Sequence, residues 1–480
     1  MTAEKLYERT ARQLGEQMEQ GIYRPGDRLP GVRRLSRQFG VSISTVVHAL
    51  SLLEDGGRIE ARPRSGYYVR ERIETRPEQP EISRPEVRPM PVTGQALVLR
   101  LVQAANEEGV VQLGAAVPAP DFLPTRAIQR ALAAAARHGG ASLATYQFPP
   151  GQAELRRQIA RRMSDAGCRV SPDEIIVTSG CQEALVLALR ATTSPGDVVA
   201  IESPSFYGLL QAIESLGLKA LEIPTDPVTG ISLEALELAL EKWPVGACVL
   251  TANFSNPLGG CMPDEKKRAL VSLLAARCIP LVEDDIYGDL GFEGRRPAAL
   301  AAFDARHEDI IYCASFSKTL SPGLRLGWIV PGRWREKVEY LKYVNSLAAP
   351  TLSQLAVAEF LRHGGYDRHL RQVRRAYAGQ VGRMIEAVGR YFPEGTRVTQ
   401  PRGGFVIWLA LPEQTDALAL CREAMARRIS IAPGPIFSPS GKYRNCIRLN
   451  CAQPWDDRLE SALETLGGLA RRLASTTGTA

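Results

Sequence analysis

A segment rich in proline and charge divides this sequence into two very unequal parts. Residues 71–91 contain five prolines, many charged residues and almost no large apolar side chains. Such a stretch cannot bury a core and favours extended, polyproline-like conformations. It predicts a linker at 71–95, between a small domain at 1–70 and a large one at 96–480. The chain is therefore expected to be a multidomain protein.

Composition limits the class of protein further. Of the 480 residues, 45% are apolar and 23% are charged, which excludes a fibrous or largely disordered chain. No apolar run approaches the roughly 18 residues that a membrane helix needs. Met1–Thr10 is charged and lacks the apolar stretch of a secretory signal. The nine cysteines are scattered, without a CxxC pair, which favours reduced thiols and a cytoplasmic location.

The part before the linker has the pattern of a helix-turn-helix followed by a two-stranded wing. Apolar residues recur at helical spacing in three stretches, and the third helix is expected at 42–54. Two alternating strands then flank a turn at 62–66. Residues 21–70 hold nine arginines and four acidic residues, most of the chain's net charge of +7. This local excess of positive charge indicates a polyanionic partner for this segment.

A helix-turn-helix places its second helix in the major groove of DNA. Hydroxyl groups at the start of that helix can bond phosphates or base edges, and arginines on the preceding helix and the wing can neutralise phosphates. The candidate DNA-binding residues are Arg33, Arg34, Ser42, Ile43, Ser44, Thr45, Arg62, Arg64 and Gly66. The alternative for the same pattern is a three-helix dimerisation module with a basic face.

Three N-terminal motifs, in this order, resemble the GntR-type winged-helix DNA-binding domain. They are PGDRLP at 25–30, VSISTVVHAL at 41–50 and SGYYV at 65–69. The resemblance covers residues 1–70 and implies binding to double-stranded operator DNA. Family members often carry arginine early in the recognition helix and again one turn later, where this sequence has Ile43 and Val47. Contact between Ile43 and a thymine methyl group is then the substitute for base readout by arginine.

After the linker, short apolar strands alternate with helices, which predicts an α/β domain with a mainly parallel sheet. The expected strands are 175–178, 198–201, 247–250, 280–283 and 310–313. From about residue 350 onward, helices mix with strands at 405–409 and 446–450. This part is expected to form a smaller α+β lobe.

The most informative motif surrounds a lysine in the stretch SFSKTLSPGLRLGW, at 315–328. A lysine flanked by serines, with an arginine seven residues later, suits a phosphorylated aldehyde cofactor. Lys318 would bond covalently to the aldehyde. Ser315, Ser317 and Arg325 would hold the phosphate, the arginine in a bidentate manner.

Two acidic residues follow the predicted strand at 280–283. Asp284 suits the nitrogen of a pyridine ring, because a buried carboxylate keeps that nitrogen protonated and makes the ring an electron sink. Tyr287 can donate to the ring oxygen. The pair Asp284 and Asp285 could also bind a metal, but the sequence offers no matching histidine or carboxylate cluster. No metal is therefore predicted.

Three weaker motifs allow two interpretations each. Asn256 precedes a proline and is either a turn residue or a donor to the phenolic oxygen of the cofactor. Small residues at 178–181 join a strand to a helix, either as a tight turn or as a phosphate site at a helix N-terminus. An aromatic at Phe206 or Tyr207 either lies in the core or stacks on a pyridine ring.

Together and in this order, these motifs resemble the class I aminotransferases, within the fold-type I enzymes that use pyridoxal 5'-phosphate (PLP). The resemblance covers about 96–480 and implies PLP as cofactor. It implies a large lobe at about 146–345 and a small lobe at about 96–145 and 346–480.

The resemblance also implies a role for each matching residue. Lys318, Asp284 and Tyr287 are the implied catalytic residues, Asn256 joins Tyr287 at the ring hydroxyl, and Phe206 stacks on the ring. Those implied around the phosphate are Ser179, Gly180, Cys181, Ser315, Ser317 and Arg325, with Tyr146 reaching the phosphate of the partner subunit in a homodimer. Those implied at a substrate α-carboxylate are Arg448, Gly114 and Asn256.

A GntR-type domain joined to an aminotransferase-like domain is the layout of the MocR subgroup of bacterial regulators. This resemblance implies a transcriptional regulator that senses an amino compound or the cofactor itself. The alternative is a working amino-acid aminotransferase with a secondary DNA-binding role, because Lys318, Asp284 and Arg448 are all present. Neither interpretation involves a membrane.

Overall fold

The structure is a computed structural model that describes most of the chain. The described residues are 5–55, 58–62, 65–70, 77–93, 98–99, 103, 107–304 and 308–475. Within them, no helix is both long and apolar enough to cross a membrane. The same residues contain no group of three or more His, Cys, Asp or Glu side chains that could hold a metal ion.

Helices and strands alternate through most of the described chain. The α-helices are α1 (Leu6–Glu19), α2 (Val32–Phe39), α3 (Ile43–Asp55), α4 (Thr125–His138), α5 (Ala153–Asp165), α6 (Cys181–Thr192), α7 (Tyr207–Ser215), α8 (Leu233–Lys242), α9 (Asp264–Ala276), α10 (Arg335–Ser346), α11 (Thr351–Arg362), α12 (Gly365–Tyr391), α13 (Ala417–Ala426) and α14 (Asp457–Ser475). The strands are β1 (Ile59–Arg62), β2 (Gly66–Val69), β3 (Pro89–Pro91), β4 (Val111–Gln112), β5 (Ile176–Thr178), β6 (Val198–Ser203), β7 (Lys219–Asp226), β8 (Gly230–Ile231), β9 (Val245–Leu250), β10 (Leu281–Asp284), β11 (Ile310–Ser315), β12 (Gly327–Val330), β13 (Arg397–Val398), β14 (Val406–Ala410), β15 (Ile429–Ser430), β16 (Ala432–Pro433) and β17 (Cys446–Asn450).

The first three helices and the hairpin β1–β2 form a winged helix-turn-helix, as predicted. The apolar faces of α1, α2 and α3 meet in a core that includes Leu14, Leu35 and Leu50. Gly40 ends α2 in a left-handed conformation, with φ of 64°, which a glycine adopts without strain. Ser42 caps α3, since its Oγ accepts a hydrogen bond from the Thr45 amide at 3.1 Å.

The large domain is built on a nine-stranded, mainly parallel sheet, which confirms the predicted fold class. The strand order along the sheet is β3-β7-β6-β9-β10-β11-β12-β5, with β8 paired to β7. Strands β7, β6, β9, β10 and β11 are mutually parallel. Strand β12 is antiparallel to both of its neighbours. The predicted strands in this sheet agree with the observed ones to within two residues.

The predicted linker differs from expectation over residues 77–93, most of its length, because this segment is bound to the large domain. Strand β3 pairs antiparallel with β7, which would otherwise be the edge of the parallel part of the sheet. The Thr225 amide donates to Ser83 Oγ at 2.8 Å, and Arg397 forms an ion pair with Glu81 at 2.9 Å. An edge strand has unpaired backbone groups that such a segment can satisfy, and proline is tolerated there. The remaining residues of the predicted linker, 71–76 and 94–95, lie outside the described residues.

The division into lobes also differs from expectation. A second sheet, in the order β13-β14-β17-β16, packs with α13, α14 and the C-terminal half of α12 around a separate core. Helix α4, expected in the small lobe, contributes Ile128 and Ala131 to the core of the large sheet. Helix α11, also expected in the small lobe, packs against α4 and contributes Ala356 and Val357 to that same core. Apolar helical faces pair with whatever surface the tertiary fold presents, and sequence position alone does not reveal it.

Candidate functional site

The candidate residues of the large domain gather where parallel strands end. Strand β10 ends at Asp284, β11 ends at Ser315, and β9 runs into the loop that carries Asn256. Ligands of open α/β sheets bind at the carboxyl ends of the strands. The loops at this edge of the sheet therefore form the candidate site.

Lys318 lies at the centre of this site. Its Nζ donates a hydrogen bond to the Ala116 carbonyl oxygen at 2.6 Å. Burial and the neighbouring Arg448 guanidinium lower the pKa of Lys318 to about 8, although the Asp284 carboxylate opposes the shift. About a tenth of the amine is then neutral at pH 7, far more than for an ordinary lysine, and the neutral amine is the nucleophilic form.

Asp284 is a buried carboxylate held by two donors. Its Oδ1 accepts from the Cys181 thiol at 3.2 Å and from the Ile286 amide at 3.3 Å. Burial raises the pKa of Asp284 to about 6, and the two hydrogen bonds partly offset this rise. The carboxylate is thus mainly ionised at neutral pH while it is shielded from water. Such a group stabilises a cation placed beside it.

A chain of hydrogen bonds links Tyr287 to Arg448. Asn256 Nδ2 donates to Tyr287 Oη at 3.4 Å, and Arg448 Nη1 donates to Asn256 Oδ1 at 3.0 Å. Arg448 Nη2 also donates to the Gly114 carbonyl oxygen. Burial raises the pKa of the Tyr287 phenol, so this group stays protonated.

Arg448 is a buried cation without a carboxylate partner among the described residues. Its exposed fraction is 0%, and its Nε has no hydrogen-bond partner in that part of the chain. Buried charges in proteins are normally paired, because removing a charge from water is costly. The arrangement therefore favours an anionic ligand at Arg448, beside Lys318.

A small cradle lies close to Lys318, since its Arg325 is one of the charges that lower the pKa of Lys318. Gly180 has φ of 96°, and a Cβ atom added there would lie 2.7 Å from the Arg325 guanidinium. Arg325 Nη2 donates to the Ser179 carbonyl oxygen at 2.8 Å. Helix α6 begins at Cys181, and the first amides of a helix have no acceptor within it. These donors suit a phosphate group.

Two serines and one amide define this cradle further. Ser315 Oγ accepts from the Ser317 amide at 3.3 Å, and both serines are buried. The Ser179 amide donates to Glu183 Oε2 at 2.6 Å, so only the hydroxyl group of Ser179 remains for a ligand.

The two aromatic candidates face different surroundings. The rings of Phe206 and Tyr207 have centroids 4.7 Å apart. Phe206 lies against Gly208, near the start of α6. The ring of Tyr207 has the Arg448 guanidinium carbon at 5.9 Å and the Phe437 ring at 5.6 Å. Tyr207 therefore lies beside Arg448, a position that the sequence motif did not indicate.

Tyr146 is not gathered into the site of its own chain. Its side chain is 67% exposed, and its ring contacts that of Phe148, with centroids 5.5 Å apart. The assignment of Tyr146 to a partner subunit's phosphate stays a prediction.

In the N-terminal domain, most of the candidate residues lie on an open surface. Arg33, Arg34, Ser42 and Ser44 are exposed, and Ile43 is 52% exposed. The Thr45 hydroxyl is half-buried and lies 2.8 Å from Ser42 Oγ. Their roles at DNA stay predictions.

The wing candidates lie on the hairpin β1–β2. Arg62 contacts Glu60 Oε1 at 2.7 Å and lies over the Tyr68 ring at 4.3 Å. Gly66 has φ of 110°, which favours glycine at this turn. Arg64 lies outside the described residues.

Two protein-family models match this chain, one in the N-terminal domain and one in the large domain. The model described as "Bacterial regulatory proteins, gntR family" matches residues 6–69. The model described as "Aminotransferase class I and II" matches residues 110–466. The HTH-type transcriptional regulator YjiR of Escherichia coli K12 is 43% identical over 462 residues, which cover 96% of this chain and 98% of that protein. The chain belongs to the MocR type of GntR-family regulators.

This MocR-type regulator is also similar to free-standing aminotransferases over its larger part. The 2-aminoadipate transaminase of Thermus thermophilus is 32% identical and covers 78% of this chain, with 93% of its own length matched. The crystal structure of LysN, the α-aminoadipate aminotransferase of Thermus thermophilus, complexed with N-(5'-phosphopyridoxyl)-L-leucine, superposes with a TM-score of 0.73. It covers 79% of this chain and 95% of its own, at 31% identity. The regulator thus joins a GntR domain to an aminotransferase-like domain.

Members of the aminotransferase class I and II family use PLP, and the site of this regulator fits that group. A cradle that a Cβ would fill stands at Gly180, beside Arg325. The amine of Lys318 has a lowered pKa, and the Asp284 carboxylate influences it electrostatically. The donors, the amine and the buried carboxylate are the three chemical groups that a phosphorylated pyridine aldehyde needs.

Sequence reasoning missed several contacts of the site. Ala116 accepts from Lys318, Cys181 donates to Asp284, and Glu183 binds the Ser179 amide. No motif indicates the first of these, because Ala116 is distant in sequence and acts through its backbone. The other two residues begin helix α6, where a strand-to-helix junction could have directed attention to them.

Proposed function

We propose that the chain is a PLP-dependent transcriptional regulator that senses an amino compound bearing a carboxylate. The observation that carries this proposal is the buried Arg448, which lacks an anionic partner in the described structure and lies near Lys318. An α-amino acid supplies both an amine for the cofactor side and a carboxylate for Arg448. We place the regulator in the cytoplasm with its DNA.

The residues around Lys318 would hold PLP in the following way. Gly180, Cys181, Ser317 and Arg325 supply donors for the phosphate, together with the hydroxyl groups of Ser179 and Ser315. Asp284 keeps a pyridine nitrogen protonated, Asn256 and Tyr287 hold the ring hydroxyl, and Phe206 stacks on the ring. When bound, PLP supplies an electron sink and an aldehyde that bonds to amines.

The remaining chemistry belongs to the chain's own groups. The Lys318 amine, with its pKa of about 8, can give up and take back a proton near neutral pH. Arg448 orients the ligand through bidentate hydrogen bonds to its carboxylate. Asn256 contacts both Arg448 and Tyr287, so a ligand bound at Arg448 also alters the contacts of Tyr287.

The proposed assembly is a homodimer in which Tyr146 completes the site of the partner subunit. Tyr146 belongs to a set of exposed apolar side chains at 146–148 and along one face of α10 and its end, and such side chains favour burial against a second copy. The other members are Phe148, Tyr340, Tyr343, Val344 and Leu347. The rings of Phe148 and Tyr343 are in contact, with centroids 5.9 Å apart. Light scattering of cofactor-loaded protein is expected to give a dimer, and a cofactor-loaded monomer contradicts this assembly.

The proposed DNA contacts follow the family pattern. Helix α3 enters the major groove of the operator, with Ile43, Ser44 and Thr45 near base edges and Ser42 near the backbone. Arg33, Arg34, Arg62 and Arg64 neutralise phosphates, and Gly66 allows the wing a close approach to the backbone. The domain boundaries at 1–70 and 96–480 remain part of this proposal.

A second candidate function is amino-acid transamination. The lowered pKa of Lys318 favours it, because a proton carrier in catalysis works best when its pKa is close to the working pH. A sensor needs only to bind the amino compound, whereas an aminotransferase must also pass the amino group to a keto acid. Turnover therefore distinguishes the two functions.

A visible absorption titration of the cofactor-loaded protein tests both. We expect an amino acid to shift the cofactor band to a new stable position, without conversion to the pyridoxamine form. Conversion to that form, reversed by a keto acid, establishes transamination instead. If no amino acid or amine alters the spectrum, the sensing proposal is wrong for the compounds tested.

The variant Arg448→Ala tests the carboxylate contact in the same assay. Loss of a charge-assisted hydrogen-bonded pair is expected to weaken amino-acid binding by about 10- to 100-fold. Binding of the matching amine, which lacks the carboxylate, should be unchanged and serves as control. Equal amino-acid affinity in variant and wild type would show that the ligand is recognised elsewhere.

A further inference from the structure

One face of α12 carries a row of arginines that the proposed function does not use. Arg368, Arg371 and Arg375 recur at three- and four-residue spacing, which places them along one side of the helix over about 10 Å. All three side chains are exposed. Within the described residues, none of the three has an ion pair or a side-chain hydrogen bond.

These arginines form one wall of a cleft of about 550 Å³ between the two domains. Lys5 and Tyr7, at the start of α1, line the facing wall. Arg383 also lines the cleft, and its Nη2 donates to the Glu54 carbonyl oxygen at the end of α3, at 2.9 Å. No acidic side chain of the described structure lines this cleft. The charged side chains that line the cleft within the described residues are therefore all basic.

One side chain that lines the cleft also contacts α3, the helix that is expected in the major groove. The Tyr7 ring contacts the ring of His48 on α3, with centroids 5.7 Å apart. His48 is exposed, as are Ile43 and Val47 on the same helix. Tyr7 therefore connects the two surfaces, because its side chain lines the cleft and contacts His48 on α3.

We propose that the row Arg368, Arg371 and Arg375 is a second DNA-binding surface, contributed by the aminotransferase-like domain. It holds the phosphate backbone that flanks the segment contacted by the N-terminal domain. Phosphate contacts of this kind position a protein on DNA without reading its sequence. The inference rests on DNA binding by the N-terminal domain, and it adds a surface on the other domain.

The shape and exposure of the row favour DNA over a small anion. Small-molecule sites are concave and bury most of their ligand with converging polar groups. Here the three guanidinium groups are exposed and spread along a helix, which suits successive phosphates of a strand. A ligand that contacts this row and α3 together must also be extended, as a duplex is.

The salt dependence of DNA affinity tests this inference on the full, cofactor-loaded chain. The probe is a fluorescent 40-base-pair duplex of random sequence, followed by anisotropy. The slope of log K against log salt falls by about 0.9 for each phosphate contact that is lost. We expect the triple variant R368A/R371A/R375A to lower the slope by about two to three.

Two variants control for charge and structure. The triple variant R126A/R130A/R137A removes the same charge from exposed positions of α4 and is expected to keep the wild-type slope. The variant R368K/R371K/R375K keeps the charge and should restore most of the slope. If the triple alanine variant fails to fold, R371A alone should lower the slope by about one.

Two results would overturn the inference. One is a wild-type slope in R368A/R371A/R375A, and the other is an equal decrease in the α4 control, which would reflect net charge alone. Failure of the wild-type protein to bind any duplex contradicts the proposed function itself, and so is distinguishable from both.

Discussion

The two domains of this regulator present their functional charges in opposite ways. In the N-terminal domain, Arg33 and Arg34 extend into solvent from the surface of a small core. In the aminotransferase-like domain, Asp284 and Arg448 are buried, and Lys318 is shielded enough for its pKa to fall to about 8. These placements suit the proposed ligands, because DNA is large and binds at a surface, whereas a cofactor and an amino compound are enclosed by a protein.

The difference predicts how the substitution of a charged residue will act in each domain. In the aminotransferase-like domain, Lys267 is fully buried and donates to Asn253 Oδ1 at 2.8 Å. Asp285 forms a buried ion pair with Arg296 at 2.5 Å. Removal of such a group affects the fold as well as the ligand, because its partner is left unpaired in the interior. Removal of an exposed arginine should affect only the ligand.

The largest expected effect comes from Lys318→Ala, which removes the amine that bonds to the cofactor. We expect borohydride reduction followed by mass spectrometry to find no cofactor attached to this variant. Lys242→Ala, at an exposed position, should be labelled like wild type. A stoichiometric adduct that survives in Lys318→Ala would assign the linkage to another lysine.

The next effect concerns the buried ion pair. Arg296→Ala removes the cation shared by Asp285 and Asp289 and should lower the free energy of unfolding by about 3–5 kcal/mol. The matched control is Arg333→Ala, which breaks a partly exposed ion pair with Asp309 and should cost less than about 1 kcal/mol. Denaturant titration measures both. Equal losses would remove the contrast between buried and exposed charge.

A smaller effect concerns pH. The folded pKa of Lys318 is about 8, so the neutral amine increases from pH 7 to pH 9 and changes little above that. The initial rate of PLP uptake by cofactor-free protein should rise about tenfold across this range and then level off. An ordinary lysine would continue to gain reactivity up to its usual pKa near 10.5. Stopped-flow absorption distinguishes the two profiles.

The smallest structural effect is expected at the exposed surface. The double variant R33A/R34A should lower the salt slope of DNA binding by about two. Its free energy of unfolding should stay within about 0.5 kcal/mol of wild type for each substitution. Anisotropy and thermal unfolding measure these two quantities. A large loss of stability would mean that these arginines support the fold of the N-terminal domain.

Much of the candidate site could be predicted because short motifs encode it. Asp284 is the last residue of a strand of the parallel sheet, Lys318 and Asn256 lie in loops that follow two other strands, and such positions converge at one edge of the sheet. The winged helix-turn-helix was predictable for a similar reason, since its turns and apolar repeats are local.

Other features depend on tertiary contacts that no local pattern records. The docking of residues 77–93 onto β7 contradicts what a proline-rich composition suggests, because the edge of a distant strand supplies the partner. The placement of α4 in the core of the large lobe depends on its packing with α11. The surroundings of Arg448, which contain no anionic partner in the described structure, are formed by elements that are distant from it in sequence.

If the regulator senses an amino acid, as proposed, binding of that amino acid must change its affinity for DNA. The most direct test is the affinity of cofactor-loaded protein for a duplex that it has itself selected from random sequence. The affinity is measured with and without the amino acid that shifts the cofactor spectrum. We predict a change of at least about fivefold in wild type, typical of coupled sites, and none in Lys318→Ala. The same affinity with and without that amino acid in wild type would contradict the account.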